Sequence, residues 1–218
     1  MKKIGLTLGA VVLSGMSFGQ TFLTPTPYLQ FSDSPWAAGT FDYFHLETVE
    51  DHAVNTPGAT LTNGIVTSTS FGLSSIVDSV DEDDGSINGT NGFNGAFGDS
   101  LFGGLIRIDF SAAVLGNLPT HAGMVWTDGG IATFEAFDSN GVSLGEIGNN
   151  SADGSSFGGT AEDRFFGIEY AGGISAIQFK NVTSEADHLQ YGYSPVPEPA
   201  TMTLLGLAVL AIARRKKS

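Results

Sequence analysis

The chain has 218 residues, no cysteine, 23 Asp and Glu against nine Lys and Arg, and a formal net charge of −14. Without cysteine it has neither a disulfide staple nor thiol chemistry. Residues 20–195 hold 22 of the acids against only Arg107, Arg164 and Lys180, a net −19 that repels nucleic acid and anionic lipid and attracts divalent cations or basic partners.

In chain order, Lys2 and Lys3 precede an apolar run at residues 4–16, and Ser17-Phe18-Gly19 sets small side chains ahead of Gln20. This is the pattern of a secretory signal peptide spanning residues 1–19 and cleaved near Gly19–Gln20. Thr24-Pro25-Thr26-Pro27 stops any helix from continuing. Residues 20–39 then read as an N-terminal extension ahead of a body at 40–193. About 176 exported residues suffice for one domain with a sizeable core.

The body reads as strands. Residues 40–49 are rich in aromatic and β-branched side chains, and 105–110 alternate with Ile106, Ile108 and Phe110 inward and Arg107 and Asp109 outward. Residues 123–127 and 131–137 follow on either side of Asp128-Gly129-Gly130, and Asp138-Ser139-Asn140-Gly141 supplies a tight turn. Residues 165–170 and 174–179 flank Ala171-Gly172-Gly173 as a predicted hairpin, and 188–193 are the closing strand. No segment sustains a helical period, so the expected fold is all-β, a jelly-roll or lectin-like antiparallel β-sandwich with an irregular loop at 81–103.

No motif announces catalysis. The glycine pairs lack the strand–loop–helix setting and the lysine of a phosphate cradle. There is no Gly-x-Ser-x-Gly elbow, and His45, His52, His121 and His188 show no metal-ligand spacing. Glu135, Glu146, Glu162 and Glu169 are carboxylates of the kind that run glycoside hydrolysis in pairs. In so acidic a chain, Glu135 and Glu169 read more economically as the solvent face of alternating strands. Three further side chains are candidate ligand contacts. Arg164 is a sugar or carboxylate contact, or else an ion pair that neutralises local acidity. Trp36 and Trp126 are stacking platforms or core aromatics, with Trp36 the better candidate for exposure.

After a Pro-rich linker at 194–199, the chain ends in residues 200–218, where 14 uncharged residues (200–213) precede Arg214-Arg215-Lys216-Lys217. As a helix this stretch reaches about 21 Å, short of the roughly 30 Å hydrocarbon core, so a span needs a thin bilayer or snorkelling basic side chains. The terminal cations favour the cytoplasmic face and leave the body outside.

Val196-Pro197-Glu198-Pro199, the apolar stretch and the basic end together resemble the PEP-CTERM sorting signal. The resemblance implies recognition at Pro197, Glu198 and Pro199, retention through Arg214 and Arg215, and cleavage by an exosortase-like membrane protease. It also implies export by a translocase and signal peptidase to the surface of a Gram-negative-type bacterium that makes exopolysaccharide. A second resemblance covers residues 44 to 193. Asn55-Thr56-Pro57-Gly58, Val125-Trp126-Thr127-Asp128-Gly129, Asp163-Arg164-Phe165-Phe166-Gly167 and Asp187-His188-Leu189-Gln190-Tyr191-Gly192 are similar to a jelly-roll-like ectodomain that recurs with such tails. The implied function is a non-enzymatic surface or matrix-associated protein. The alternatives are a carbohydrate-binding module for exopolysaccharide and, further off, a glycoside-active enzyme.

Asp78, Asp81, Asp83 and Asp84 lie in a short acidic run ending at Gly85, a candidate calcium loop without EF-hand register. Resemblance to jelly-roll sandwiches, where calcium often sits between an N-terminal loop and the last strand, adds Glu50, Asp51 and Asp187. The two groups are one site or two, or the run is a solvated acidic loop.

Overall fold

The structure, a computed structural model, describes residues 19–68, 78–84, 87, 98–129, 133–148 and 163–195. The expected signal peptide, the apolar C-terminal helix, and Pro197, Glu198, Pro199, Arg214 and Arg215 lie outside the described residues, as do the side chain of Asp84 and most of loop 81–103.

Nine antiparallel strands are described: β1 (Gln20–Pro27), β2 (Tyr43–Glu47), β3 (Ala59–Ser68), β4 (Asp99–Phe110), β5 (His121–Gly129), β6 (Thr133–Asp138), β7 (Ser143–Gly148), β8 (Arg164–Tyr170) and β9 (Ile174–Tyr193). The hydrogen-bonded order is β1-β8-β5-β9-β4-β3, while β2 and β6 pair with β9 and β7 pairs with β6. The result is an all-β, nearly closed, jelly-roll-like barrel or sandwich. Its edges approach where the Gln20 amide donates to the Leu144 carbonyl at 3.2 Å and Phe22 meets Phe134 edge-on.

β9 organises both halves. Its first part, around residues 174–180, lies between β4 and β6. Its last part runs against β5 on one side and β2 on the other. One 20-residue strand therefore pairs with four others, β2, β4, β5 and β6, in a single continuous sheet, with a register shift at Gly103/Leu105 of β4. The two segments expected at 174–179 and 188–193 are thus one strand.

The expected hairpin across Ala171-Gly172-Gly173 does not form, because β8 pairs with β1 and β5 and not with β9. The turn exists, closed by Gly173 N–H to the Tyr170 carbonyl, with Gly173 at φ +88°. Its flanks are held by residues 119–120: Tyr170 N–H bonds to Thr120 O and Ile174 N–H to Pro119 O. The chain is carried over the end of the barrel, and Ile174 is delivered to β6 opposite Asp138.

The inward set predicted for β4 is found: Ile106, Ile108 and Phe110 are buried with Met124, Trp126, Phe134, Phe166, Ile168 and Phe179 in the main core. β5 departs from simple alternation, being buried on both faces. Its outer face carries Val125 in a second core with Tyr28, Trp36, Val80 and Phe165. Each fully buried side chain of this kind contributes about 1.5–3 kcal/mol. The N-terminal segment is therefore part of the folded body: β1 edges the sheet, and Tyr28 and Trp36 close over it. Loop 81–103 is likewise shorter than expected, since β4 already begins at Asp99 and Asp81–Asp84 form one helical turn.

Candidate metal centre

Both tryptophans are core residues. Trp126 is fully buried and its indole N–H donates to the Asp128 carbonyl at 2.7 Å. Trp36, expected to be the more exposed, is 5 % exposed, packs edge-on to Phe165 at 5.0 Å, and donates to Glu169 at 3.2 Å. Neither offers an open ring face to a sugar, because the second core claims one and the main core the other. Arg164 is half-buried, and its guanidinium donates to the Asp163 carbonyl at 2.9 Å.

The carboxylates sort by their partners. Glu135 receives Lys180, Ser143 and Gln178, and Lys180 also reaches Glu146 at 2.6 Å. Although burial opposes it, these donors hold the Glu135 carboxyl below the usual carboxylate range. Arg107 forks onto Asp109 and bonds Gln178 at 3.1 Å.

A different set gathers on the outer face of β9. Successive same-side residues Glu185 and Asp187 accept the backbone N–H groups of Asp78 at 2.6 Å and Val80 at 3.1 Å. The acidic segment 78–84 is thereby laid across the strand, with Val80 as its apolar anchor in the second core. Burial pushes Glu185 up to about 8, with the Asp128 charge adding to the shift. Asp187, completely buried, is raised well above its ordinary value, first by burial and then by the charge of Asp83.

His188 follows directly, with φ +44° in the left-handed region, which turns its ring to the same side as Asp187. Its Nδ1 is 2.8 Å from the Tyr28 hydroxyl and its Nε2 is 2.7 Å from Asp83 Oδ2. The Tyr28 hydroxyl also receives Gln190 Nε2 at 2.9 Å, and Gln190 is held in turn by Ser34. Asp83, Asp187 and His188 each present a donor atom, all within 4.8 Å of one another, and this small buried cluster can coordinate a metal ion.

Glu50 borders the cluster. Burial raises its carboxyl to about 7 against the stabilising Asp99 N–H bond, and the charges of Asp83 and Asp99 add to the rise. The two acidic groups read from sequence are thus adjacent, through Asp83, Asp187 and Glu50. Asp78 and Asp81 are buried alongside in the same segment. Asp51 is not brought in: it is exposed and bonded to Asn55. The ligand that sequence reasoning missed is His188. Its only signal was adjacency to Asp187, which alternation assigns to the opposite face and the left-handed backbone returns to the same one.

Open surface pockets lie among the described residues. One, of about 280 Å³, is lined by His121, Glu169 and Tyr170 together with Gly19, Ser194 and Pro195. The first and last described residues of the body therefore leave it side by side.

Fold and site together define an acidic antiparallel β-sandwich with a buried Asp/Asp/His cluster on its longest strand. Residues 195–217 match the PEP-CTERM protein-sorting motif, immediately beyond the end of β9. The chain is thus a secreted, surface-associated β-sandwich protein bearing a PEP-CTERM sorting tail. Comparison with curated proteins and with solved structures gives no match.

Proposed function

We propose that this is a non-catalytic surface protein, exported by a translocase, trimmed by signal peptidase and then by an exosortase-like membrane protease, and retained in an exopolysaccharide matrix. The observation that carries the proposal is the sorting motif at 195–217, which begins two residues after the last strand. The folded body ends where the tail begins, so Pro197-Glu198-Pro199 follows it closely enough for processing at the membrane surface. The exit of Gly19 beside Ser194 and Pro195 supports the same arrangement, with leader and tail leaving one end of the barrel.

The non-catalytic reading is supported by how the carboxylates are used. Glu135 and Glu146 share Lys180, and Glu169 receives the Trp36 indole. A divalent cation held by Asp83, Asp187 and His188 belongs to this reading as a structural ligand.

The test of the sorting route uses Glu198→Gln and a variant lacking residues 214–217, each expressed in a host with the processing machinery. The expected outcome is a full-length C-terminus and membrane retention for both variants, against a shortened C-terminus for the parent. Identical mature C-termini by intact mass in all three would refute it.

A further inference from the structure

We propose that the Asp83–Asp187–His188 cluster is a structural site for a small first-row divalent ion of the zinc class, rather than for calcium, and that the ion latches segment 78–84 onto β9. The proposal rests on the reading of this cluster as a cation site and adds the identity and the task of the ion.

The donor set comes first. Calcium takes six to eight oxygen ligands on a roomy, partly hydrated loop. Here one of the three donors is an imidazole nitrogen, both oxygens of Asp187 already accept backbone N–H groups, and Asp187 and His188 are buried. Each Asp187 oxygen keeps one free lone pair, enough for a single short bond and not for a wide oxygen shell. Imidazole with carboxylate suits zinc and its neighbours, bound at 2.0–2.2 Å in four-coordinate sites. Donors around such an ion stand about 3.3 Å apart. The three donors lie within 4.8 Å of one another, and the His188 Nε2–Asp83 Oδ2 pair, at 2.7 Å, need open by only about 0.6 Å to admit the ion. Glu50 lies outside this three-donor group, holds the Asp99 N–H, and is near enough for its charge to act on both aspartates, so the fourth position is left to water or to a shift of Glu50.

An independent observation concerns the histidine. A metal-binding imidazole has its other nitrogen held by a fixed partner, which sets the ring's orientation and tautomer. Nδ1 of His188 is held by the Tyr28 hydroxyl, itself fixed by Gln190 and Ser34, all inside the second core. A cation selects the tautomer in which Nδ1–H donates to Tyr28 and Nε2 turns its lone pair to the two aspartates. Without an ion, an Nε2–H bond to Asp83 at 2.7 Å holds the pair together, and a bound cation takes that proton's place.

The charge distribution agrees. Among the described residues, Arg107 is committed to Asp109, Lys180 to Glu135 and Glu146, and Arg164 to the Asp163 carbonyl. Glu50, Asp83 and Asp187 therefore meet with an imidazole as their basic neighbour. One ion would bond segment 78–84 through Asp83 and β9 through Asp187 and His188, joining elements about a hundred residues apart in the chain.

The test uses the full chain, stripped of metal with a chelator and titrated calorimetrically in parallel with Zn²⁺, Mn²⁺ and Ca²⁺. Stoichiometry comes from native mass spectrometry, and Co²⁺ serves as a spectroscopic probe. The expected result is one zinc per chain, intense d–d bands of low-coordinate cobalt, and affinity for calcium at least about tenfold weaker. At a zinc concentration a hundredfold above Kd the unfolding midpoint should rise by about 5–10 °C. Asp83→Asn, on a half-buried helical turn, and His188→Gln should each weaken zinc binding at least about tenfold. Far-ultraviolet dichroism without metal identifies a variant that has failed to fold, and Asp83→Asn serves if His188→Gln does not fold. Binding of calcium alone would overturn the ion class and leave a cation site standing. Absence of any binding heat, or zinc binding unchanged in Asp83→Asn, would overturn the site as well.

Discussion

His121 shows how one residue can report on its whole neighbourhood. Its ring is edge-on to Trp36 at 5.6 Å and to Phe41 at 5.1 Å, its Nδ1 meets the Thr120 hydroxyl, and Glu169 of β8 stands 3.8 Å from Nε2. Burial lowers its pKa below 6.5, and the Glu169 charge only partly opposes this. The sign follows from linkage. As pH falls below 6.5 the unfolded chain takes the proton first, so this group's share of stability is present above 6.5 and lost as pH falls through the lowered native value. Stability curves from pH 8 to 5 should therefore fall less steeply for His121→Gln than for the parent. Parallel curves from urea unfolding would contradict the assignment. Residues of this kind were only half legible in the sequence. The alternation of Ile106, Ile108 and Phe110 is a period-two pattern that any half-buried strand must show. The burial of Trp36 is not periodic. It follows from a non-local cover, in which the N-terminal segment folds across β5 and β8, and no local spacing carries that information.

At the scale of elements, β5 and β9 are the strands whose neighbours decide everything. Gly123 of β5 lies against Gly167 of β8 and near Gln190 of β9. A Cβ there would press on the Phe166 carbonyl and the Phe165 ring inside van der Waals contact, and a central strand's backbone cannot retreat. Gly104 of β4 has nothing within 4 Å of the same hypothetical atom. Gly123→Ala should cost about 1–3 kcal/mol and Gly104→Ala no more than about 0.5 kcal/mol, measured by urea unfolding. Equal effects would mean that β5 is not sandwiched as described. Sequence reasoning located most strand cores but mispaired β8 with β9, because a glycine-rich turn of three residues also serves an arch between strands that are not neighbours, here separated by β5. What separates arch from hairpin is the pair of backbone bonds from residues 119–120, some fifty residues earlier in the chain. The candidate centre was partly legible for a related reason. Its acids are conspicuous as a run, and resemblance adds Asp187 but leaves open whether it joins that run, whereas His188 enters only through a positive-φ backbone.

Over the whole molecule, acidity and sorting belong together. A body with 22 acids and three Lys or Arg stays soluble outside the cell through self-repulsion, and its few cations are spent inside the fold or beside it. Among the described residues no helix is long and apolar enough to cross a membrane, and residues 195–217 match the sorting motif. The body ends at Tyr193 of β9, and Ser194 is tied back to the fold by its N–H bond to Thr120 at 3.0 Å, so tail removal leaves every described strand intact. The most direct measurement is the intact mass of the native protein recovered from the surface and matrix fractions of its own cells. The account predicts a folded chain that starts near Gln20 and ends close to Pro197-Glu198-Pro199, with both the leader and the basic end gone. A full-length mass, in a fraction that never leaves the cytoplasm, would contradict it.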